Sequence, residues 1–447
     1  LWRCTGSGSP PVERTRARFT GGFVWSPSTG PPARERRRRG PMASRAIIPR
    51  PLIPLRNTSP GLAVGAGRAA GTMEGGNTTS GWVWQESSRR QVPDGASDDR
   101  GEEVIPHNGK LFDDDLLTEI RDRFWWPDSD PYSGRRIYFE NAGGSLTLKS
   151  VVAVTAEQVA LPDNSGRDNP ASRAVTQLIK QGKDDIRIFL NARAGVVVMG
   201  ESATALLFRI IDAIGRNVSG SNVVTTNLDH PAVYDSTHWV ADKYRKAWRV
   251  AGLDARTGLV DPAEIARHID AETSLLAVIH SSNNLGTTHD AAAIVRAARR
   301  VKPDLFVLVD GSQHVAHYPV DVERIGCDAY VFSTYKAFSK TSASFAWLSD
   351  RAACLPHERL LGVPETAWEL GTRDQSGYAA WSKVIEYLGW LGSRFSPSRN
   401  TRDLVVAAMR AIEDHERALT YRLLHGTPAV PGLLGMKNVS VYAETEN

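Results

Sequence analysis

Lys336 closes the run Asp328-Ala329-Tyr330-Val331-Phe332-Ser333-Thr334-Tyr335-Lys336, and Asp310 closes the apolar run Leu305-Phe306-Val307-Leu308-Val309 shortly before it. An amine at the carboxyl end of a strand can hold pyridoxal phosphate as a Schiff base. A carboxylate on the neighbouring strand can keep that cofactor's ring nitrogen protonated. Taken alone, Asp310 could equally be a strand-end cap.

The flanking pattern places these residues. Leu206, Leu207, Ile210, Ile211 and Ile214 recur at helical spacing, which predicts a helix over Ala203 to Ile214, and Ala153 to Leu161, Ala174 to Leu190, Pro262 to Ile269, Ala291 to Ala298 and Ala379 to Tyr387 read the same way. Strands are expected at Arg136 to Phe139, Gly195 to Met199, Asn222 to Thr226, Ser274 to Ile279, Leu305 to Val309 and Ala329 to Phe332. A short helix over Asp113 to Phe124 precedes them. Strand and helix in alternation imply an α/β fold, a three-layer αβα domain around a mostly parallel sheet. In such sheets ligands lie outside the carboxyl ends of the strands. Four apolar runs end in Asp229-His230, Ser282-Asn283, Asp310-Gly311-Ser312-Gln313 and Ser333-Thr334-Tyr335-Lys336, so their polar residues are expected to converge on one rim.

Seven segments, in this order, resemble the class V aminotransferase family of fold-type I pyridoxal-phosphate enzymes: Glu140-Asn141-Ala142-Gly143-Gly144, Ser202-Ala203-Thr204-Ala205, Asp229-His230-Pro231-Ala232-Val233, Ser282-Asn283-Asn284-Leu285-Gly286, the Asp310 and Lys336 segments, and Glu369-Leu370-Gly371-Thr372. Tyr335 before the lysine, where many members carry His, is most similar to the cysteine desulfurase-like branch. The resemblance covers roughly residues 110 to 447. It departs from the family after the lysine, where Gly-Pro is usual and this chain has Ser339-Lys340-Thr341-Ser342.

The resemblance implies a role for each matched residue. Lys336 would carry the cofactor, Asp310 would face the ring nitrogen, and His230 would stack on the ring and relay a proton. Asn283 and Gln313 would bond the phenolic oxygen. The phosphate would meet the amides of Ala203 and Thr204 after Ser202, where a helix N-terminus favours anions, together with the hydroxyls of Ser333 and Tyr335. Ser202 is also an ordinary N-cap, and His230 alone would read as a loop histidine. Lys340 is close enough to Lys336 to be confused with it. By the same resemblance Thr372 would reach a partner's cofactor phosphate, which implies a homodimer; a plain turn at Gly371-Thr372 is the alternative.

The implied activity is that of a pyridoxal-phosphate enzyme acting on an amino acid, desulfurase-like. An epimerase or aminotransferase of the same fold and a non-catalytic cofactor-binding protein stay open. Desulfurases use a C-terminal cysteine and arginine that cannot be assigned here. Val439 to Tyr442 reads as the first strand of a small domain left incomplete at Asn447, so the chain is expected to lack efficient desulfurase activity.

Net charge is only +4 over 447 residues, and the composition is that of a soluble enzyme with no call for a membrane or nucleic-acid partner. Cys4, Cys327 and Cys354 are too few and scattered for a disulfide framework or a metal site, so a cytoplasmic location is the default. Residues 1–105, rich in Gly, Pro, Ser and Arg and including Arg36 to Arg39, read as a disordered basic tail. The stretch from Met42 to Thr72 holds arginines and no acidic residue, as mitochondrial transit peptides do, but the prolines between Pro49 and Pro54 oppose a continuous helix. Residues 106–415 are expected to form the large domain and 416–447 the start of the small one.

Overall fold

The computed structural model describes residues 109–371 and 373–441. The expected tail, Thr372 and Tyr442 lie outside them. Helix α1 (Asp114–Arg121) and a two-residue hairpin, β1 (Ser129–Asp130) with β2 (Gly134–Arg135), lead into α2 (Lys149–Val159) and α3 (Pro170–Leu190). Alternation then sets in: β3 (Val196–Gly200), α4 (Ala203–Asn217), β4 (Asn222–Thr226), α5 (Pro231–Tyr244), β5 (Ala247–Ala251), α6 (Pro262–Arg267), β6 (Thr273–Ile279), α7 (Ala291–Val301), β7 (Phe306–Asp310), α8 (Val322–Ile325) and β8 (Ala329–Ser333). After β9 (Ser344–Leu348) and α9 (Asp350–Ala353) come two long helices, α10 (Ser376–Gly392) and α11 (Thr401–His425), and a second small hairpin, β10 (Gly426–Thr427) with β11 (Val430–Pro431).

Seven strands form one sheet in the order β3-β9-β8-β7-β6-β4-β5, and β9 alone runs against its neighbours. Successive side chains on a strand point to opposite faces. Phe306, Leu308, Ala329 and Val331 therefore join one apolar core with α4 and α5, while Val307, Val309, Tyr330 and Phe332 join the other with α3, α10 and α11. Helices on both faces explain why the central strands are apolar without interruption.

Local chemistry sets the helix starts. The Ser202 hydroxyl accepts the Ala205 amide at 3.1 Å, and Asn169 caps α3 ahead of Pro170. The segment Arg136 to Phe139, expected as a strand, forms none: the Arg136 amide continues the small hairpin to the Asp128 carbonyl at 2.9 Å, and Ile137 and Phe139 beyond it are 81% and 85% exposed. Residues 439–441 likewise form no strand; the hairpin of β10 and β11 stands before them. Helix α11 runs unbroken through residues 415 and 416, where the sequence pattern suggested a boundary.

At the opposite end of β8 from Lys336, buried Asp328 accepts from Arg299 at 2.8 Å, Arg351 at 2.6 Å and the Val307 amide at 2.9 Å. This pins the start of β8 beside β7. Replacing Asp328 by Ala leaves two guanidinium groups facing no carboxylate, so Asp328→Ala is expected to lower stability by about 3–5 kcal/mol. Urea unfolding measures it, and a change within about 0.5 kcal/mol would contradict the assignment.

Candidate active site

The polar residues that end the strands meet in one cleft. Thr204, His230, Asn283, Asp310, Gln313, Ser333, Tyr335 and Lys336 all line it, and Ala203, Ser312, Leu207, Ala232 and Ile279 complete the wall. The cleft is narrow, with about 50 Å³ open to water molecules inside about 380 Å³ of free space that includes its mouth.

Each element contributes through its end. Helix α4 presents its N-terminus, where the Ser202 side chain is spent on the cap while Ala203 and Thr204 face the cleft. Ser202 is thus a cap, and it does not line the wall. His230 caps α5: its Nδ1 accepts the Ala232 amide at 3.1 Å, which leaves Nε2 to carry the proton and face away from the helix. Burial, with the Lys336 charge added, holds His230 below the usual histidine range against the pull of Asp310. His230 is therefore both a cap and a cleft residue.

Asp310 is buried at the end of β7, and its Oδ1 accepts the Ser312 amide at 3.0 Å. Lys336, only 8% exposed, lies in the turn after β8 and makes no hydrogen bond or ion pair with any described residue. Burial pushes its amine down from the ordinary lysine value, opposed by the Asp310 carboxylate. Lys340 is committed elsewhere, to Asp374 and, at 3.0 Å, to the Ser376 hydroxyl. The two lysines are thus told apart by their partners.

Gln313 donates its amide to the Ala142 carbonyl at 2.8 Å, tying the cleft to the segment Glu140 to Gly144. Ser145 binds the Tyr335 carbonyl through its amide at 3.0 Å and its hydroxyl at 3.1 Å. Asn283 donates to Asn284, leaving Asn283 Oδ1 buried without a partner, as is Ser312 Oγ. The loop that replaces the family's Gly-Pro holds together through Thr334 Oγ1, which donates to the carbonyls of Lys340 at 3.0 Å and Ala343 at 2.6 Å. Thr372 lies outside the described residues. Cys327 is buried, and burial pushes its thiol up, which disfavours the reactive thiolate. Among the described residues no group of three or more His, Cys, Asp or Glu side chains is placed to share a metal ion, and no helix is long and apolar enough to cross a membrane.

One residue of the motifs had no role in the sequence reading. Asp229 is buried, and its Oδ2 accepts from Thr225 at 2.7 Å, from the Thr226 amide at 2.6 Å and from the Thr226 hydroxyl at 3.0 Å, while Oδ1 accepts the Ile279 amide. It ties the end of β4 to the end of β6. Two threonines followed three residues later by an aspartate is a signal for such a self-capped turn.

A family model for the class-V aminotransferases matches residues 137–362, half of the chain. The chain belongs to the class-V aminotransferase family. A cysteine desulfurase of Yersinia pseudotuberculosis is 34% identical over 170 residues, 37% of this chain and 41% of that protein. The aminotransferase-like protein FGM3 of Gibberella zeae is 26% identical over 327 residues, 70% of this chain and 75% of that one. The chain thus spans about two fifths of the length of the Yersinia relative. Among solved structures, the cysteine desulfurase CsdA of Escherichia coli aligns with a TM-score of 0.53 at 21% identity, covering 66% of this chain and 74% of that one. A NifS-like protein aligns at 0.51 and 17%, covering 65% and 73%. Both share the fold.

Asp229 yields a test. Burial raises its carboxyl to about 6, outweighing the donors that favour the anion. An unfolded aspartate titrates near 3.9, so between pH 4 and 6 the folded protein binds a proton that the unfolded chain has lost. This group's contribution then falls as pH rises through that window. Asp229→Asn should remove that slope and, by placing an amide against a backbone N–H, cost about 1–3 kcal/mol. Urea midpoints of both proteins at pH 4.5 and 7 decide it; parallel pH profiles would overturn the assignment.

Proposed function

We propose that the chain binds pyridoxal phosphate through Lys336 and acts on an amino acid, in the manner of the cysteine desulfurase-like branch. The observation that carries the reading is a buried, unpaired lysine in one cleft with a buried aspartate, a neutral histidine and a helix N-terminus.

The residues present fit the cofactor. Ala203 and Thr204 at the start of α4 offer amides to a phosphate dianion, and Ser333 and Tyr335 add hydroxyls beside them. The partnerless Asn283 amide oxygen marks a group that can turn its donor toward the phenolic oxygen. Bound there, pyridoxal phosphate supplies an electron sink for bond breaking at the substrate's alpha carbon. Asp310 would hold the proton on the ring nitrogen. Lys336, with its pKa depressed by burial, would serve first as the attaching amine and then as the base that takes the alpha proton. His230, with its proton on Nε2, would cover the ring face.

Transamination stays beside desulfuration because the longest of the matches quoted above, over 327 residues, is to an aminotransferase-like protein. Incubation with cofactor and a panel of amino acids separates them: alanine and sulfide from cysteine mark the first, a keto acid the second. We also read the protein as a homodimer, since Ile137 and Phe139 leave apolar surface that a second copy would cover; sedimentation at a monomer's mass would end that reading.

Borohydride reduction of the cofactor-treated protein, followed by peptide mapping, should find the pyridoxyl group on Lys336. A label on Lys340 alone would sink the proposal. Asp310→Asn should keep the label and slow turnover at least about a hundredfold, some 2.7 kcal/mol in barrier; unaltered turnover would deny Asp310 its role.

A further inference from the structure

A second cleft, sharing no residue with the first, lies where α1, α2 and α10 meet. It is larger, with about 440 Å³ open to water, inside the roughly 300–1,000 Å³ typical of small-molecule sites. One wall is aromatic. Trp390 and Tyr387 line it, and the Arg123 guanidinium lies over the Trp390 ring at 3.6 Å. Arg123 makes no hydrogen bond or ion pair through its side chain with any described residue, and its Nε is buried without an acceptor. Lys149 faces the same space, with its ammonium 5.8 Å from the Trp125 ring and no carboxylate partner among the described residues. Lys383 and Glu386 neutralise each other at 2.8 Å, and Asp122 stands exposed at the rim.

Two cations that rest on aromatic rings and have no carboxylate partner among the described residues select a ligand by chemistry. A buried guanidinium N–H without an acceptor is costly, and an anionic oxygen would satisfy it. The first turn of α2 adds its positive end, without a side-chain cap or an acidic residue, although the Leu148 and Lys149 amides are spent on the Phe338 and Arg123 carbonyls and only the Ser150 amide is left to give. We propose that this cleft is a second binding site, for a small molecule that joins a flat unsaturated body to a phosphate or carboxylate.

The cleft is coupled to the Lys336 loop through Phe338. The Leu148 amide donates to the Phe338 carbonyl at 3.1 Å, and Ser145 Oγ accepts the Phe338 amide at 2.7 Å. The Phe338 ring meets Tyr387 edge-on at 5.7 Å. Phe338 also holds a left-handed backbone, φ 65°, a conformation unfavourable for a bulky residue. A ligand pressed between Leu148 and Tyr387 would bear on this strained residue, two positions beyond Lys336. Occupancy of the second cleft would thus be read by the first.

Phenyl phosphate is the probe, with inorganic phosphate and benzyl alcohol as its two halves. Calorimetry on the full chain should give saturable binding of phenyl phosphate, weaker binding of either half, and a loss of at least about tenfold, some 1.4 kcal/mol, in Arg123→Met and in Lys149→Met. Lys149 is exposed, so its replacement leaves the fold intact. Lys336→Ala should bind as the parent does, which separates this site from the first cleft whatever that cleft holds. Hydrogen exchange in the segment 334–343 should slow on binding. Binding that survives both cleft variants, that is lost only with Lys336→Ala, or that is matched by benzyl alcohol would overturn the site; exchange unchanged in that segment would overturn the coupling.

Discussion

The site depends on one constraint: β4, β6, β7 and β8 run parallel and stop at the same edge of the sheet. Parallel pairing fixes that level, because Ile279 pairs with Asp310 and Asp310 with Val331, so the loops that follow leave from neighbouring points. Two buried carboxylates guard the two ends. Asp328 holds the start of β8 through arginines, and Asp229 holds the exits of β4 and β6 through backbone and hydroxyl donors. A shift of one residue in any strand would turn a cleft side chain to the other face.

Electrostatics at that edge follow from burial. His280, next to Asp310 across the sheet, is held down to about 3 by desolvation, and its Nδ1 lies 3.0 Å from the Tyr330 hydroxyl, whose own pKa is pushed well up. Both groups are therefore neutral, and the bond between them carries no charge. His314 stacks on His280 at 3.4 Å and is likewise kept neutral. With His230 also depressed, the histidines bring no charge to compete for Asp310, and Lys336 is the cation that faces it. Gly311 belongs to the same packing, since a Cβ there would lie 2.2 Å from the Tyr330 ring. The carboxylate and the amine are thus set in a region where a change of one proton is worth more than it would be in water.

Much of this was legible in the chain. Asp310, Lys336, Asn283 and His230 follow apolar runs directly, and alternation of strand and helix places such residues on one rim. What was hidden needed tertiary information. Strand β9 has a readable apolar run, Ser344 to Leu348, but nothing local says that it inserts antiparallel between β3 and β8. Edge strand β5, Ala247 to Ala251, is not among the expected strands: it carries Arg249 in the middle of a short run. The error at Arg136 to Phe139 has the opposite origin: its β-branched and aromatic residues suit a strand, and past the Arg136 amide no strand pairs with it. Asp229 looked like part of a motif for its neighbour His230, and only its four donors show that it holds the sheet.

The most direct test is a crystal structure of the protein grown with pyridoxal phosphate. The account predicts density continuous with Lys336 Nζ, the ring nitrogen facing Asp310, His230 over the ring, and the phosphate at the amides of Ala203 and Thr204. Cofactor joined to Lys340, or seated away from the ends of β4, β6, β7 and β8, would contradict it.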